Sequence, residues 1–267
     1  MRRLLTGALL AVTMTGCSVS TQQEVEMGTQ YAQQINAQLP IVQDPEINRY
    51  VNVLGNQIAQ RADQRGLQYR FYVVNAREVN AFAVPGGYIY VNRGLIERTN
   101  TLSQFAGVLG HEIGHVVRRH SVQQMQKAQG ANFGVVLACV LTSICGSDVG
   151  QTAINVGGTA LFAKFSRDDE NEADQEAIRN VMRAGIHPRG IPEMFQILIN
   201  ERNRQATAVE SWFATHPLEE DRVERTRRVI AAIPQATLRS LTNDSQNFHT
   251  FRNRVRSLPA PPAAARR

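Results

Sequence analysis

Long apolar runs are missing from this sequence. No stretch reaches the roughly 18 uninterrupted apolar residues of a spanning helix, which excludes a polytopic membrane protein. Cysteine is scarce, with 3 in 267 residues, and that excludes a disulfide-dense scaffold. Glycine (19) and proline (10) follow no repeat, and 43% of residues are hydrophobic, so the chain is neither collagen-like nor disordered throughout. The body also lacks an excess of one charge. The formal charge is +6, but it sits at the ends. Arg2 and Arg3 open the chain, and after residue 234 Arg239, Arg252, Arg254, Arg256, Arg266 and Arg267 face only Asp244. A near-neutral body with a basic tail is not the footprint of a nucleic-acid-binding domain, so no nucleic-acid partner is expected. The length suits one domain with its own core plus a tail.

The N-terminus has the pattern of an export signal: Arg2 and Arg3, the apolar run Leu4 to Val12, then small residues up to Gly16. Cys17 directly after Gly16 resembles the cleavage site of a bacterial lipoprotein, although Met14 stands where leucine is preferred. That resemblance implies cleavage before Cys17 and lipidation of Cys17. With Ser18 next in place of aspartate, it further implies sorting to the periplasmic face of a Gram-negative outer membrane. Several acyl chains anchor stably, where one does not. An ordinary signal peptide is the alternative. In an exported, oxidised chain the remaining pair, Cys139 and Cys145, is expected to form a disulfide. Six residues within one helix are too far apart for a bridge, so a helix end is expected between them; two buried free thiols are the alternative.

Residues 18–65 read as helical, with a break at Pro40 and a restart at Asp44-Pro45-Glu46. Tyr69 to Asn75, Asn80 to Val84 and Tyr88 to Asn92 read as strands, the last two joined by Pro85-Gly86-Gly87. Thr101-x-x-Gln104 is a capping box that opens a helix expected to run to about Gln126. The Gly-rich stretch 131–163 reads as two short helices. Further helices are expected from Arg167 to Ala184 and near 190–203 and 219–232, and Pro259 to Arg267 reads as disordered.

The sharpest feature is His111-Glu112-Ile113-Gly114-His115, inside the helix opened by Thr101. Residues four apart on a helix share a face, so both imidazoles point to one side, as two ligands of a tetrahedral zinc require. Glu112 flanks them, placed to take a proton from a metal-activated water and pass it to a leaving amine. Ser121 stands where a metzincin would have its third histidine, which excludes that arrangement. On a continuous helix His120 lies about 140° from His115 and points away from the metal. The third ligand is sought on the acidic helix from Ser166 to Asp174. Glu170 and Asp174 share a face there, with Ala173 and Ala177 small enough for close helix approach. Glu170 is the ligand candidate and Asp174 the acceptor for a ligand-histidine N–H. A solvated acidic first turn is the alternative.

His-Glu-Ile-Gly-His followed by Ser-Arg-x-x-Glu-x-Glu-Ala-Asp resembles metallopeptidase family 48, that of the HtpX-like and BepA-like zinc endopeptidases. Asn80-Ala81-Phe82-Ala83-x-Pro85-Gly86-Gly87 and Thr215-His216-Pro217-Leu218-Glu219-Glu220-Asp221-Arg222 match its flanking motifs. The resemblance spans about residues 25–232 and points to a short periplasmic lipoprotein branch. It implies an α+β, mostly helical, zincin-like (gluzincin) fold with a small antiparallel sheet. It implies one Zn2+ per chain on His111, His115 and Glu170, with Glu112 as general base and Asp174 as supporting acid. His216 resembles the histidine that caps the zinc in a latent state or supports the oxyanion in an open one; Arg222 is the weakest transfer. The organisation then reads as signal peptide 1–16, zinc metallopeptidase domain 17–233 and basic tail 234–267, partly disordered.

The implied function is endopeptidase cleavage of misfolded or unassembled envelope proteins, with substrate added as a strand along Tyr88 to Asn92; plain sheet core is the alternative for that strand. A non-proteolytic zinc-containing outer-membrane assembly or chaperone factor is the alternative. For the anchor, Cys17→Ala is expected to block the lipoprotein cut and leave the chain unlipidated. Mass spectrometry showing an unmodified Cys17 inside the mature wild-type chain overturns that reading.

Overall fold

The structure, a computed structural model, describes residues 19–127, 164–217 and 220–261. Cys17, Cys139, Cys145, the expected signal and the stretch 131–163 lie outside the described residues. The chain opens with helices α1 (Thr21–Gln38) and α2 (Pro45–Ala62), separated at Pro40. Asp44 caps α2 by accepting the Glu46 and Ile47 N–H groups, with Pro45 in the first turn, where a missing N–H is harmless.

Three strands follow, β1 (Arg70–Val74), β2 (Ala81–Val84) and β3 (Tyr88–Asn92), in the order β1-β3-β2. The turn Pro85-Gly86-Gly87 makes β2 and β3 an antiparallel hairpin; its glycines take φ of 79° and 91°, where a side chain is strained. β1 then joins the other side of β3 in parallel. The sheet is therefore mixed, not wholly antiparallel as expected. This also corrects the expected substrate edge: Tyr88 to Asn92 is the central strand, buried at all five positions. The edge on the hairpin side is β2. Asn92 N–H donates to the Asn80 carbonyl, so the alternation of the ladder turns the main-chain groups of Ala81 and Ala83 away from β3.

The helices α3 (Arg93–Arg98), α4 (Leu102–Val117), α5 (His120–Lys127) and α6 (Arg167–Arg183) come next. They are followed by α7 (Gly190–Arg204), α8 (Ala206–Thr215), α9 (Glu220–Ala231), α10 (Gln235–Arg239) and α11 (Gln246–Arg256). Helix α4 runs through the middle of the molecule. Every residue from Leu102 to Val116 is buried, against α2, α6, α7 and β2. Its capping box is rearranged: Thr101 accepts the Gln104 N–H, while the Gln104 side chain accepts from Asn100. The helix does not continue to Gln126. Arg118 caps it and Arg119 takes φ 58°, so α5 leaves in a new direction.

The segment after residue 233, read as a basic tail, packs into the core as far as α11. Phe248, Phe251 and Val255 are buried, and Phe251 stacks on Tyr50 at 4.4 Å. Its arginines have structural work: Arg252 and Arg256 donate to the Thr99 and Glu97 carbonyls at the C-terminal end of α3, and Arg254 pairs with Asp44. The signal was present in the sequence as Phe248, Phe251 and Val255 at helical spacing behind the cap Ser245.

Helices α4 and α6 approach main chain to main chain. A Cβ on Gly114 would stand 2.9 Å from the Ala173 carbonyl oxygen, and one on Gly110 would stand 3.4 Å from the Ala177 Cα. Gly114→Ala is expected to destabilise the protein, since overpacking of about 1–3 kcal/mol outweighs the roughly 1 kcal/mol returned by helix propensity. Equilibrium denaturation checks this; equal or greater stability in the variant would show that the two helices have room to spare.

Candidate active site

The α4–α6 contact brings two pairs of one-turn-spaced residues together. Helix α4 contributes His111 and His115 with Glu112 between them, and α6 contributes Glu170 and Asp174. The C-terminus of α8 adds His216, and α9 adds Arg222. All of these side chains are buried; Glu112, Glu170 and His216 are each 1% exposed.

Ligand atoms of His111, His115, Glu170 and His216 all lie within 4.8 Å of one another. His111 Nε2 is 3.0 Å from His115 Nε2 and 3.5 Å from a Glu170 carboxylate oxygen. His115 Nε2 is 3.5 Å from Glu170 Oε1, and His216 Nδ1 is 2.9 Å from the same oxygen. Bonds of 2.0–2.1 Å in a tetrahedron put ligand atoms about 3.3 Å apart, so these separations suit a zinc ion. Charge points the same way. The carboxylates of Glu112, Glu170 and Asp174 are buried against the single guanidinium of Arg222, and a divalent cation neutralises the excess.

The surrounding groups orient the donors. Asp174 Oδ1 lies 3.0 Å from His111 Nδ1, which leaves His111 Nε2 facing the cluster. Asp174 is held in turn by Arg222, whose Nε and Nη2 reach its two oxygens at 2.6 and 2.7 Å while Nη1 pairs with Glu170. Both oxygens of Glu112 are buried without a hydrogen-bond partner among the described residues, and His216 Nε2 is 3.6 Å from one of them. Phe165 stacks on His115 at 3.9 Å, and Trp212 stacks on His216 at 4.6 Å.

Burial raises the Glu112 carboxyl above the usual carboxylate range, only partly offset by the charges of His216 and His111. Burial also drives His115 well below the usual imidazole range, so that ring is neutral. Glu170 stays ionised despite its burial, held low by Arg222 and then by His216. Asp174 is likewise held low against burial by Arg222. For His216, burial is outweighed by the charges of Glu170 and Glu112, and the ring gains basicity.

His111, Glu112, His115, Glu170, Asp174 and His216 are thus at one place. Two further residues join them. Arg222, the weakest of the family transfers, is 1% exposed and ties α9 to α6. His120 was expected to point away from the site. The turn at Arg119 swings it back, and it is buried with its Nδ1 2.9 Å from His115 Nδ1.

Comparison with known proteins agrees with this geometry. A beta-barrel assembly-enhancing protease of Yersinia pestis is 30% identical over 221 residues, covering 80% of this chain and 45% of the relative. The chain spans about half the length of the curated relatives of that name. Metalloprotease LoiP of Escherichia coli (strain K12) is 28% identical over 252 residues, covering 86% of this chain and 97% of its own. The mitochondrial metalloendopeptidase OMA1 of Bos taurus is 28% identical over 64% of this chain and 33% of its own. The family model "Peptidase family M48" matches residues 45–230, the stretch that carries every side chain of the buried cluster, and the chain belongs to that family.

Proposed function

We propose that the protein is a zinc-dependent endopeptidase in which His111, His115 and Glu170 hold the metal and Glu112 is the general base. The observation that carries this reading is Glu112 itself. A buried carboxylate with neither oxygen satisfied, beside three metal-type donors, is costly and has no purpose at a purely structural zinc. A bound zinc supplies Lewis acidity, polarising the scissile carbonyl and acidifying water. Glu112, made more basic by burial, takes the proton of the attacking water and returns it to the leaving amine. Asp174, braced by Arg222, keeps the His111 ring in register. Extended substrate adds as a strand to β2, whose Ala81 and Ala83 main-chain groups turn away from β3; β2 is buried at all four positions, so the site must open first.

The wider setting rests on sequence. A lipidated Cys17 would hold the enzyme at the periplasmic face of the outer membrane, and a Cys139–Cys145 bridge suits that compartment. Its substrates are then misfolded or unassembled envelope proteins. The likeness to beta-barrel assembly-enhancing proteases supports this substrate class. One observation favours the alternative of a non-proteolytic zinc-containing assembly factor: His216 offers a fourth protein donor, which closes a structural site.

Casein cleavage with metal analysis separates the two. Wild type is expected to carry one zinc and to cleave, and Glu112→Gln to keep the zinc while losing about 10²–10⁴-fold in rate. His115→Ala is expected to lose the metal. Full zinc retention in both His115→Ala and Glu170→Ala refutes the ligand set, and an undiminished rate in Glu112→Gln refutes the base.

His216 lies 2.9 Å from Glu170 and 3.6 Å from Glu112, which supports reading this geometry as a closed, latent one. His216→Ala is expected to speed zinc loss to a chelator and to raise basal cleavage. A fall of about a hundredfold with unchanged zinc retention would instead assign His216 to the oxyanion. No change in either leaves it as the residue that ends α8.

A further inference from the structure

The turn that ends α4 is unusual. Arg119 is a long-chain residue at φ 58°, a region such residues rarely adopt. It is held by hydrogen bonds at both ends. Its N–H donates to the Val116 carbonyl at 3.0 Å, its Nε to Glu24 Oε2 at 2.8 Å, and its Nη2 to the Val19 carbonyl at 2.6 Å. Glu24, in α1, is 1% exposed and also receives Arg65 Nη1 at 3.1 Å. Arg65 in turn donates to the Val116 carbonyl at 2.8 Å, closing the end of α4 from the other side. A buried carboxylate in the first described helix therefore clamps the point where the active-site helix stops.

The consequence is the position of His120. Continued helix would carry its ring about 140° around from His115. The turn instead brings the two rings to 5.0 Å, nearly perpendicular at 74°, with the Nδ1 atoms 2.9 Å apart. His115 faces the cluster with Nε2, so its proton belongs on Nδ1, and that N–H needs an acceptor. His120 Nδ1 is the acceptor at hydrogen-bond distance. The His120 proton then lies on Nε2, which faces Glu172 Oε2 at 3.5 Å and Asp169 Oδ1 at 3.8 Å. The two histidines that α4 brings to the cluster are thus supported differently, His111 by a carboxylate and His115 by a second imidazole.

We infer that His120 is a positioning residue for the metal centre, and that the Glu24–Arg119 link holds the turn that places it. His120 Nδ1 accepts the His115 Nδ1–H and so fixes both the tautomer and the ring plane of that ligand. This rests on the reading of His115 as a zinc ligand. The test is zinc affinity of the purified full chain, by competition with a chromophoric chelator, with visible absorption of the cobalt-substituted protein as second readout. His120→Phe keeps the ring and removes the acceptor; zinc affinity is expected to fall 10–100-fold and the cobalt bands to shift. His120→Asn places an oxygen close to the position of Nδ1 and is expected to recover most of the affinity. Arg119→Gly permits the turn but removes the link to Glu24, and is expected to fall between wild type and His120→Phe. Should His120→Phe fail to fold, the Asn and Gly variants decide alone, since wild-type affinity in Arg119→Gly overturns the link. Wild-type affinity and spectrum in His120→Phe overturn the inference as a whole. Wild-type protein that takes up no zinc overturns the metal reading beneath it, which is a separate failure.

Discussion

The site depends on how closely α4 and α6 approach. Gly110 and Gly114 on one helix meet Ala177 and Ala173 on the other, with main chain against main chain. Each helix carries its polar pair one turn apart, on the side that the small residues bring inward. Larger residues at the contact would separate His115 from Glu170 by the width of the added groups, while every local feature of both helices stayed intact. Packing between backbones thus sets distances between donors, and the rest of the centre is arranged around that spacing.

A second constraint is electrostatic. Three carboxylates and several imidazoles are buried in the middle of the fold, where an unpaired charge costs several kcal/mol. Arg222 answers part of this by pairing with Asp174 and Glu170 at once, under the ring of Phe195 at 4.3 Å. It is carried by α9, distant in sequence from both partners. The helix therefore docks by charge as well as by its apolar residues Val223 and Ile230. Removal of Arg222 would leave both carboxylates charged and dry, whereas removal of either carboxylate leaves Arg222 paired with the other.

Local features were the most legible in the sequence. The caps Asp44 and Thr101 mark helix starts that the structure reproduces. The i, i+4 spacing placed His111 with His115 and Glu170 with Asp174 on shared faces, because helical periodicity is a property of the chain alone. What did not show was set by tertiary contact. The order β1-β3-β2 depends on which side of a hairpin an earlier strand joins, and no residue in the strands encodes that choice. His120 was misplaced because nothing in Val-Val-Arg-Arg-His breaks a helix; the break is imposed from outside, by Glu24 and Arg65. Helix α11 was read by its charge, when its arginines were partners for the carbonyls of α3.

The chain contains one tryptophan, and it lies on His216. Its indole is part of the same helical turn, with the Trp212 carbonyl accepting the His216 N–H at 2.8 Å. The two rings therefore travel together if α8 moves. All tryptophan emission from this protein arises beside the metal site, so the unlabelled molecule carries its own optical gauge of whether that histidine is in or out.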